Sequence, residues 1–272
     1  MPGGQVHERD RHRLILSAAR DRTVVTIAEM CELTGASEAT VRRDVAALDQ
    51  AGKLRRVRGG AEALAPRQFP GLMGRPYAMN AGVRQAEKAA IARAAAAMCE
   101  DGEPIIVNGG TTTFEMVHPL ATRQLTVMTN SLPMAQHLLA HSRNQVMLPG
   151  GVVYREQNVV LSTFQDDVTQ HFWARRMFMG CLGLGPLGVM EGDPLLVRAE
   201  ERLIARADEL VVLADASKFA GRSSLVLCPL ARVGCVVTDD AVEDRAARMI
   251  EEAGVRLVTV SPGEARRAAA GA

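Results

Sequence analysis

Residues 26–64 read TIAEMCELTGASEATVRRDVAALDQAGKLRRVRGGAEAL, and their spacing decides the fold. Thr26 is placed to cap a short helix whose Ile27, Met30 and Cys31 share one face. Gly35 supplies a tight corner inside Thr34-Gly35-Ala36, and Ser37 is a good cap for a second helix closed by Gly52. On that second helix Val41, Val45 and Leu48 fall on one face, and Arg43 lies about 180° away at 100° per residue. Ala39, Thr40 and Ala46 flank Arg43 with short side chains, and Arg42 stands on the shoulder. A thin outward face with one long cation suits the major groove of double-stranded DNA. The following KLRRVRGGAEAL alternates Leu54 and Val57 with arginines and turns at Gly59-Gly60, which predicts a basic hairpin that grips phosphates. From Arg42 to Arg58 six basic residues face two acidic ones, Asp44 and Asp49, a local charge of +4. Such an island is the footprint of a DNA site. The expected contacts are Ser37, Ala39, Thr40, Arg42 and Arg43 on the helix and Lys53, Arg55, Arg56 and Arg58 on the wing.

Working outward, Glu8–Ala19 reads as a first helix with Leu14, Ile15 and Ala18 as its apolar stripe. The whole chain of 272 residues carries a net charge of only +1, so its basic surface is local. Apolar residues make up 47% and aromatics 3%, which predicts cores of aliphatic side chains. Five scattered cysteines (31, 99, 181, 228 and 235) never spaced CxxC fit a reducing, cytoplasmic setting and no zinc site. The polar opening MPGGQVHERDRHR argues against a signal peptide, and no apolar run is long enough to span a membrane.

The segment from Thr26 to Leu64, with its ATVRRD core and LRRVRGGA wing, resembles the N-terminal domain of the DeoR family of bacterial sugar-metabolism regulators. The resemblance implies a helix-turn-helix unit over about Val25 to Asp44.

Beyond a Pro- and Gly-rich stretch (64–83), apolar runs at 104–107, 125–129, 145–148, 177–182, 210–214, 235–238 and 256–260 alternate with helical stretches such as 84–99. That alternation predicts an α/β domain with a mostly parallel sheet. The domains expected are therefore a winged helix-turn-helix (1–63), a linker (64–83), an effector-sensing α/β domain (84–260) and a tail (261–272).

In a parallel sheet, ligands collect at the carboxyl ends of the strands. The run Asn108-Gly109-Gly110-Thr111-Thr112-Thr113 follows the first strand; its glycines let amides crowd an anion, and its hydroxyls add donors. Asn130 follows the second strand, Gly150 and Gly151 the third, and Lys218 lies in the later Asp215-Ala216-Ser217-Lys218 loop, able to neutralise an anionic group. These ten residues form the expected effector site. Gly183-Leu184-Gly185-Pro186-Leu187-Gly188 matches G-x-G-x-x-G, but Pro186, Gly192 and Pro194 leave no helix start to hold a pyrophosphate, so no dinucleotide is expected. His137 and His141, four apart on a helix, lack the acid of an HExxH motif and predict no metal. No catalytic constellation is legible.

The order NGGTTT, TNS, PGG, LADASKF is similar to the DeoR-family sensor domain, which is related to phosphosugar isomerases. The resemblance implies a phosphorylated sugar or sugar-acid effector and lost isomerase chemistry. Two departures from the family pattern alter charge beside the site: Asn108 stands where many members carry Asp, and Glu200 where many carry Lys. The segment MFMGCLGLGPLGVMEGDPLLVRAEERL looks more like the sugar-acid branch. The expectation is a homo-oligomeric repressor with no cofactor, binding operator DNA and released by a small anionic effector. The alternative is a phosphosugar isomerase with an appended DNA-binding domain, which needs a carboxylate base at the strand ends.

Overall fold

The computed structural model describes residues 7–21, 25–63, 77–162, 166–221 and 223–263, and the chain divides into two units, Met1–Pro70 and Gly71–Ala272. Residues 64–76 of the expected linker and 264–272 of the expected tail lie outside the described residues.

The first unit runs α1 (Glu8–Asp21), β1 (Val25–Thr26), α2 (Ile27–Thr34), α3 (Glu38–Gln50), β2 (Leu54–Val57) and β3 (Gly60–Ala63). Thr26 opens α2 with a capping box: its hydroxyl accepts the Glu29 amide at 3.3 Å, and the Glu29 carboxylate accepts the Thr26 amide at 2.8 Å. Gly35, at φ 65°, ends α2 in the left-handed conformation that a Cβ disfavours. Ser37 caps α3 through the Thr40 amide at 3.4 Å. Gly52 and Lys53 then donate to the carbonyls of Asp49 and Leu48, both at 2.9 Å, which closes α3 with a Schellman motif. Ile15, Met30, Val41, Val45, Leu48 and Leu54 share one core. The wing is broader than a hairpin, because β1 adds to β3 and makes a three-stranded antiparallel sheet in the order β1-β3-β2. Gly60 lies where that sheet is tightest: a Cβ there falls 2.1 Å from the Val25 carbonyl oxygen.

The second unit opens with α4 (Tyr77–Asn80), so part of the stretch read as linker is helical, and continues with α5 (Gln85–Ala96). Then come β4 (Pro104–Val107), α6 (Thr111–Phe114), α7 (Val117–Leu120), β5 (Thr126–Thr129), α8 (Leu132–His141) and β6 (Gln145–Met147). A hairpin of β7 (Val152–Tyr154) and β8 (Val159–Leu161) precedes β9 (Ala174–Met179). The chain ends through β10 (Gly183–Gly185), β11 (Gly188–Glu191), α9 (Pro194–Ile204), β12 (Ala207–Leu213), β13 (Leu225–Cys228), β14 (Cys235–Asp239), α10 (Asp244–Glu252) and β15 (Arg256–Val260).

Seven of these strands form one parallel sheet in the order β15-β14-β12-β9-β4-β5-β6. Successive residues of a strand face opposite sides, and both sides are covered. Ile105, Val107, Val211 and Leu213 pack with Ile91 and Leu138, whereas Ile106, Leu210 and Val212 pack with Leu203 and Ile250. That is why the strands read as unbroken apolar runs. The strand order reverses between β4 and β9, and a crevice opens above the carboxyl ends of such a pair.

Candidate nucleic-acid interface and ligand cavity

On α3, Val41, Val45 and Leu48 are buried and Ala39, Arg42 and Arg43 are exposed, so the inward and outward faces fall where the spacing puts them. Arg43, Lys53, Arg56 and Arg58 are exposed and form no ion pair among the described residues. The remaining basic residues of the island are engaged. Arg42 reaches back to Glu38 at 2.9 Å, and Arg55 pairs with Glu62 across the wing. Ser37 and Thr40 bond each other through their hydroxyls at 2.9 Å as part of the cap. Asp44 does not offset the island at all. It is buried, and Arg11 (2.8 and 3.2 Å) and His12 (3.2 Å) of α1 bond its carboxylate. The carboxylate in turn raises the Arg11 guanidinium further above its ordinary pKa through that hydrogen bond. A groove of about 500 Å³ lies between α3 and the wing, bordered by Arg42, Asp49, Arg56 and Arg58.

In the second unit the sheet reverses between Asn108, just after β4, and Gly180, just after β9. The Gly180 amide donates to Asn108 Oδ1 at 3.0 Å, which ties the two strand ends together. Above them is a cavity of about 90 Å³ lined by Asn108, Gly109, Gly110, Thr111, Thr112 and Lys218, with Tyr77, Asn80, Glu191 and Glu200 also in its wall. Six of the ten residues expected at the effector site therefore meet around one space. Thr113 and Asn130 brace it from behind: the Thr113 hydroxyl donates to the Asn108 carbonyl at 2.9 Å, and Asn130 Oδ1 accepts the Gly109 amide at 2.7 Å. Gly150 and Gly151 do not line it; they lead into the β7–β8 hairpin, where Gly151 packs against the Leu161 carbonyl. The helix after the glycines is also shorter than the sequence suggests. α6 is one turn, so its axial dipole is small and an anion here is held by individual amides and hydroxyls.

Asn108 and Glu200, the two departures from the family pattern, touch. Asn108 Nδ2 donates to Glu200 Oε1 at 2.6 Å, across 92 positions of sequence. Glu200 is buried, and its second oxygen has no partner among the described residues. Burial, reinforced by the charge of Glu191, pushes its carboxyl well above the ordinary glutamate pKa, against the Asn108 hydrogen bond. Burial raises Glu191 too, and neighbouring Asp193 adds to the shift while Lys218 opposes it. Lys88 of α5 is another buried titratable group. It donates to the Asn80 carbonyl at 2.6 Å, and burial lowers its pKa while Asp215 opposes the shift. Glu191, Asn80 and Tyr77 carried no sequence signal, because they reach the cavity only through the fold.

The G-x-G-x-x-G stretch is the β10–β11 hairpin, paired Gly185 to Gly188, and contrary to the sequence expectation a helix does follow it: α9 starts at Pro194, capped by Asp193, because proline is tolerated in the first turn. Among the described residues no group of three or more His, Cys, Asp or Glu is placed to hold a metal; His118, His137 and His141 only pack their rings. No helix among the described residues is long and apolar enough to cross a membrane. Trp173 is 56% exposed, and its indole N–H donates to Asp208 at 2.8 Å.

Comparison with known proteins gives a consistent picture. Residues 11–67 match the DeoR-like helix-turn-helix domain, and residues 83–240 match the DeoR C terminal sensor domain. The HTH-type transcriptional regulator UlaR of Shigella dysenteriae serotype 1 (strain Sd197) is 30% identical over 253 residues, spanning 93% of this chain and 99% of that protein. The UlaR protein of Escherichia coli (strain K12 / DH10B) matches with the same identity and coverage. Among solved structures, ribose 5-phosphate isomerase A from Methanocaldococcus jannaschii aligns at 16% identity and a TM-score of 0.37, over 48% of this chain and 53% of that one. With both domain types present in order and full-length relatives at this identity, the chain belongs to the DeoR family of helix-turn-helix transcriptional regulators.

Proposed function

We propose that this chain is a cytoplasmic repressor of a carbohydrate or sugar-acid catabolic operon, released from its operator by a small phosphorylated effector. The observation that carries the reading is the cavity at the strand-order reversal. It gathers the Gly110–Thr112 amides, the Thr111 and Thr112 hydroxyls, and Lys218, a donor set for a phosphate, in a chain that also carries a basic winged helix-turn-helix. Arg43 reads base edges, and Lys53, Arg56 and Arg58 hold phosphates. One winged domain reads few bases, so a symmetric homo-oligomer on repeated half-sites follows. Effector binding in this cavity changes the DNA-competent population.

The test is a gel-shift titration against the chain's own upstream region, repeated with a panel of phosphorylated sugars and sugar acids. Specific retardation, relieved by a member of the panel, is the expected result. Retardation that ignores sequence, or that no phosphorylated compound alters, overturns the reading. A phosphosugar isomerase is the second reading, favoured by one observation: Glu191 and Glu200 put raised-pKa carboxyl groups in the cavity, as a general base needs. Turnover of a pentose or tetrose phosphate by the purified protein, lost in Glu200→Gln, decides for it.

A further inference from the structure

A space far larger than the ligand cavity lies elsewhere in the second unit. A groove of about 960 Å³ runs between the β10–β11 turn, the turn at Ala216–Ala220 and the start of α10. Its floor is apolar, with Met190, Phe219, Ala246 and Met249. Most of its polar side chains are engaged within the fold: Ser217 bonds Asp215, Ser223 bonds the Glu191 carbonyl, and Arg84 pairs with Asp215 at 3.7 Å. Two charges of opposite sign remain on the rim. Glu243 and Arg245 are exposed and form no ion pair among the described residues, and the Glu243 side chain does not cap α10. A polar ligand buried here would leave its own groups unmet, whereas an apolar side chain suits the floor.

The chain carries such a side chain beside the groove. Pro186-Leu187 is the turn between β10 and β11, and Leu187, at 69%, is the most exposed large apolar residue among those described. The turn is firmly held. β11 pairs with β10 on one side and β13 on the other, and a Cβ on Gly188 would fall 2.1 Å from the Cys228 carbonyl oxygen. A rigid apolar knob next to an apolar groove is a self-complementary patch, the kind that a two-fold interface repeats on both copies. The rim charges suit the same symmetry, because one cation and one anion on each copy can pair twice across the axis.

Resting on the homo-oligomer reading above, we propose that this groove is the two-fold interface between sensor domains of two copies of this chain. Leu187 of each copy fills the groove of the other, and Arg245 meets the partner's Glu243. The buried leucines supply affinity and the rim pairs fix orientation.

Sedimentation velocity of the full-length protein over a concentration series tests the proposal, with thermal melting to confirm that each variant is folded. The wild type should sediment as a dimer or a larger even assembly. Leu187→Arg places a charge in the apolar groove twice per interface; it should halve the mass and weaken association about a hundredfold or more. Glu243→Arg and Arg245→Glu each set like charges opposite one another and should weaken association about threefold to tenfold. Mixing those two variants should restore it, since one copy then offers two cations to the two acids of the other. A role within a single copy predicts no such gain. Unchanged mass in Leu187→Arg, or no gain on mixing, overturns the proposal and leaves the homo-oligomer reading standing. A monomeric wild type overturns both.

Discussion

The two units solve opposite problems with polar side chains. In the first, the residues proposed to meet DNA stand outside: Arg43, Lys53, Arg56 and Arg58 are exposed and form no ion pair among the described residues, and the residues that shape the unit are buried. In the second, the groups that face the cavity also hold it together. Asn108 bonds Gly180 and Glu200, and Asn130 holds the Gly109 amide. DNA is approached from outside, so contact and scaffold separate cleanly. An enclosed ligand is met by the scaffold itself. Substitutions should therefore split recognition from folding in the first unit and mix them in the second.

The largest expected effect breaks that separation deliberately. In Gly60→Ala the new Cβ meets the backbone of Val25, which no side-chain rotation relieves. Overpacking of this kind costs about 3 kcal/mol. Operator retardation should disappear while the sensor unit keeps its own melting transition in calorimetry; a single unchanged transition with intact retardation would falsify the wing geometry. Arg43→Ala follows in size, at about 1–3 kcal/mol of specific affinity with unchanged folding. Arg56→Ala should instead weaken all sequences alike and lower the salt slope by about one. If Arg43→Ala loses specific and nonspecific binding in equal proportion, Arg43 contacts phosphate and the base reader lies elsewhere.

How much of this was legible follows the same division. Helix-turn-helix spacing is local, so Thr26, Gly35, Ser37 and Gly52 announce their caps within a few residues. The sheet was legible because double burial writes uninterrupted apolar runs. Where charge interrupts a run the strand hides: β9 begins at Ala174, three residues before the apolar segment, because Arg176 is neutralised by Glu103 (2.7 Å) and Glu209 (2.8 Å). The antiparallel strands β10 and β11 are short and partly glycine, which reads as loop, and β13 is apolar but only four residues long. Asp44 looks like a surface acid until α1 is folded against it. The cavity was legible as a list of strand ends but not as a shape: Gly150 and Gly151 share the pattern and miss the place, whereas Glu200 lies mid-helix and reaches it.

Within the second unit, Lys218→Ala measures how far recognition can still be isolated. It removes the cavity's cation without touching the amide cradle. Effector affinity should fall about tenfold, as for loss of one charge-assisted hydrogen bond near solvent, while operator retardation without effector stays unchanged. Loss of both together would mean that the turn at Ala216–Ala220 supports the fold, and the contrast between the units would be sharper than drawn.

The smallest effect tests the mixing most directly. Glu200 is faced by Glu191 from β11, by Asn108 from the end of β4, and by the thiols of Cys181 and Cys228, with Lys218 near Glu191. Its carboxyl is held above the ordinary value in the folded chain. Below that ordinary value both folded and unfolded chains carry the proton, and the side chain imposes no pH-linked penalty. As pH rises through it, the unfolded chain ionises freely and the folded chain does not, so stability drains until the folded group titrates. Glu200→Gln cannot ionise and escapes the loss. The variant should match the wild type in melting temperature at pH values below the ordinary glutamate range and exceed it as pH rises above that range, a gap readable by thermal denaturation across a pH series. A constant difference at every pH would show that Glu200 is ionised or solvated in the fold, and a group so placed could read a ligand without also bearing on stability, as Arg43 does in the other unit.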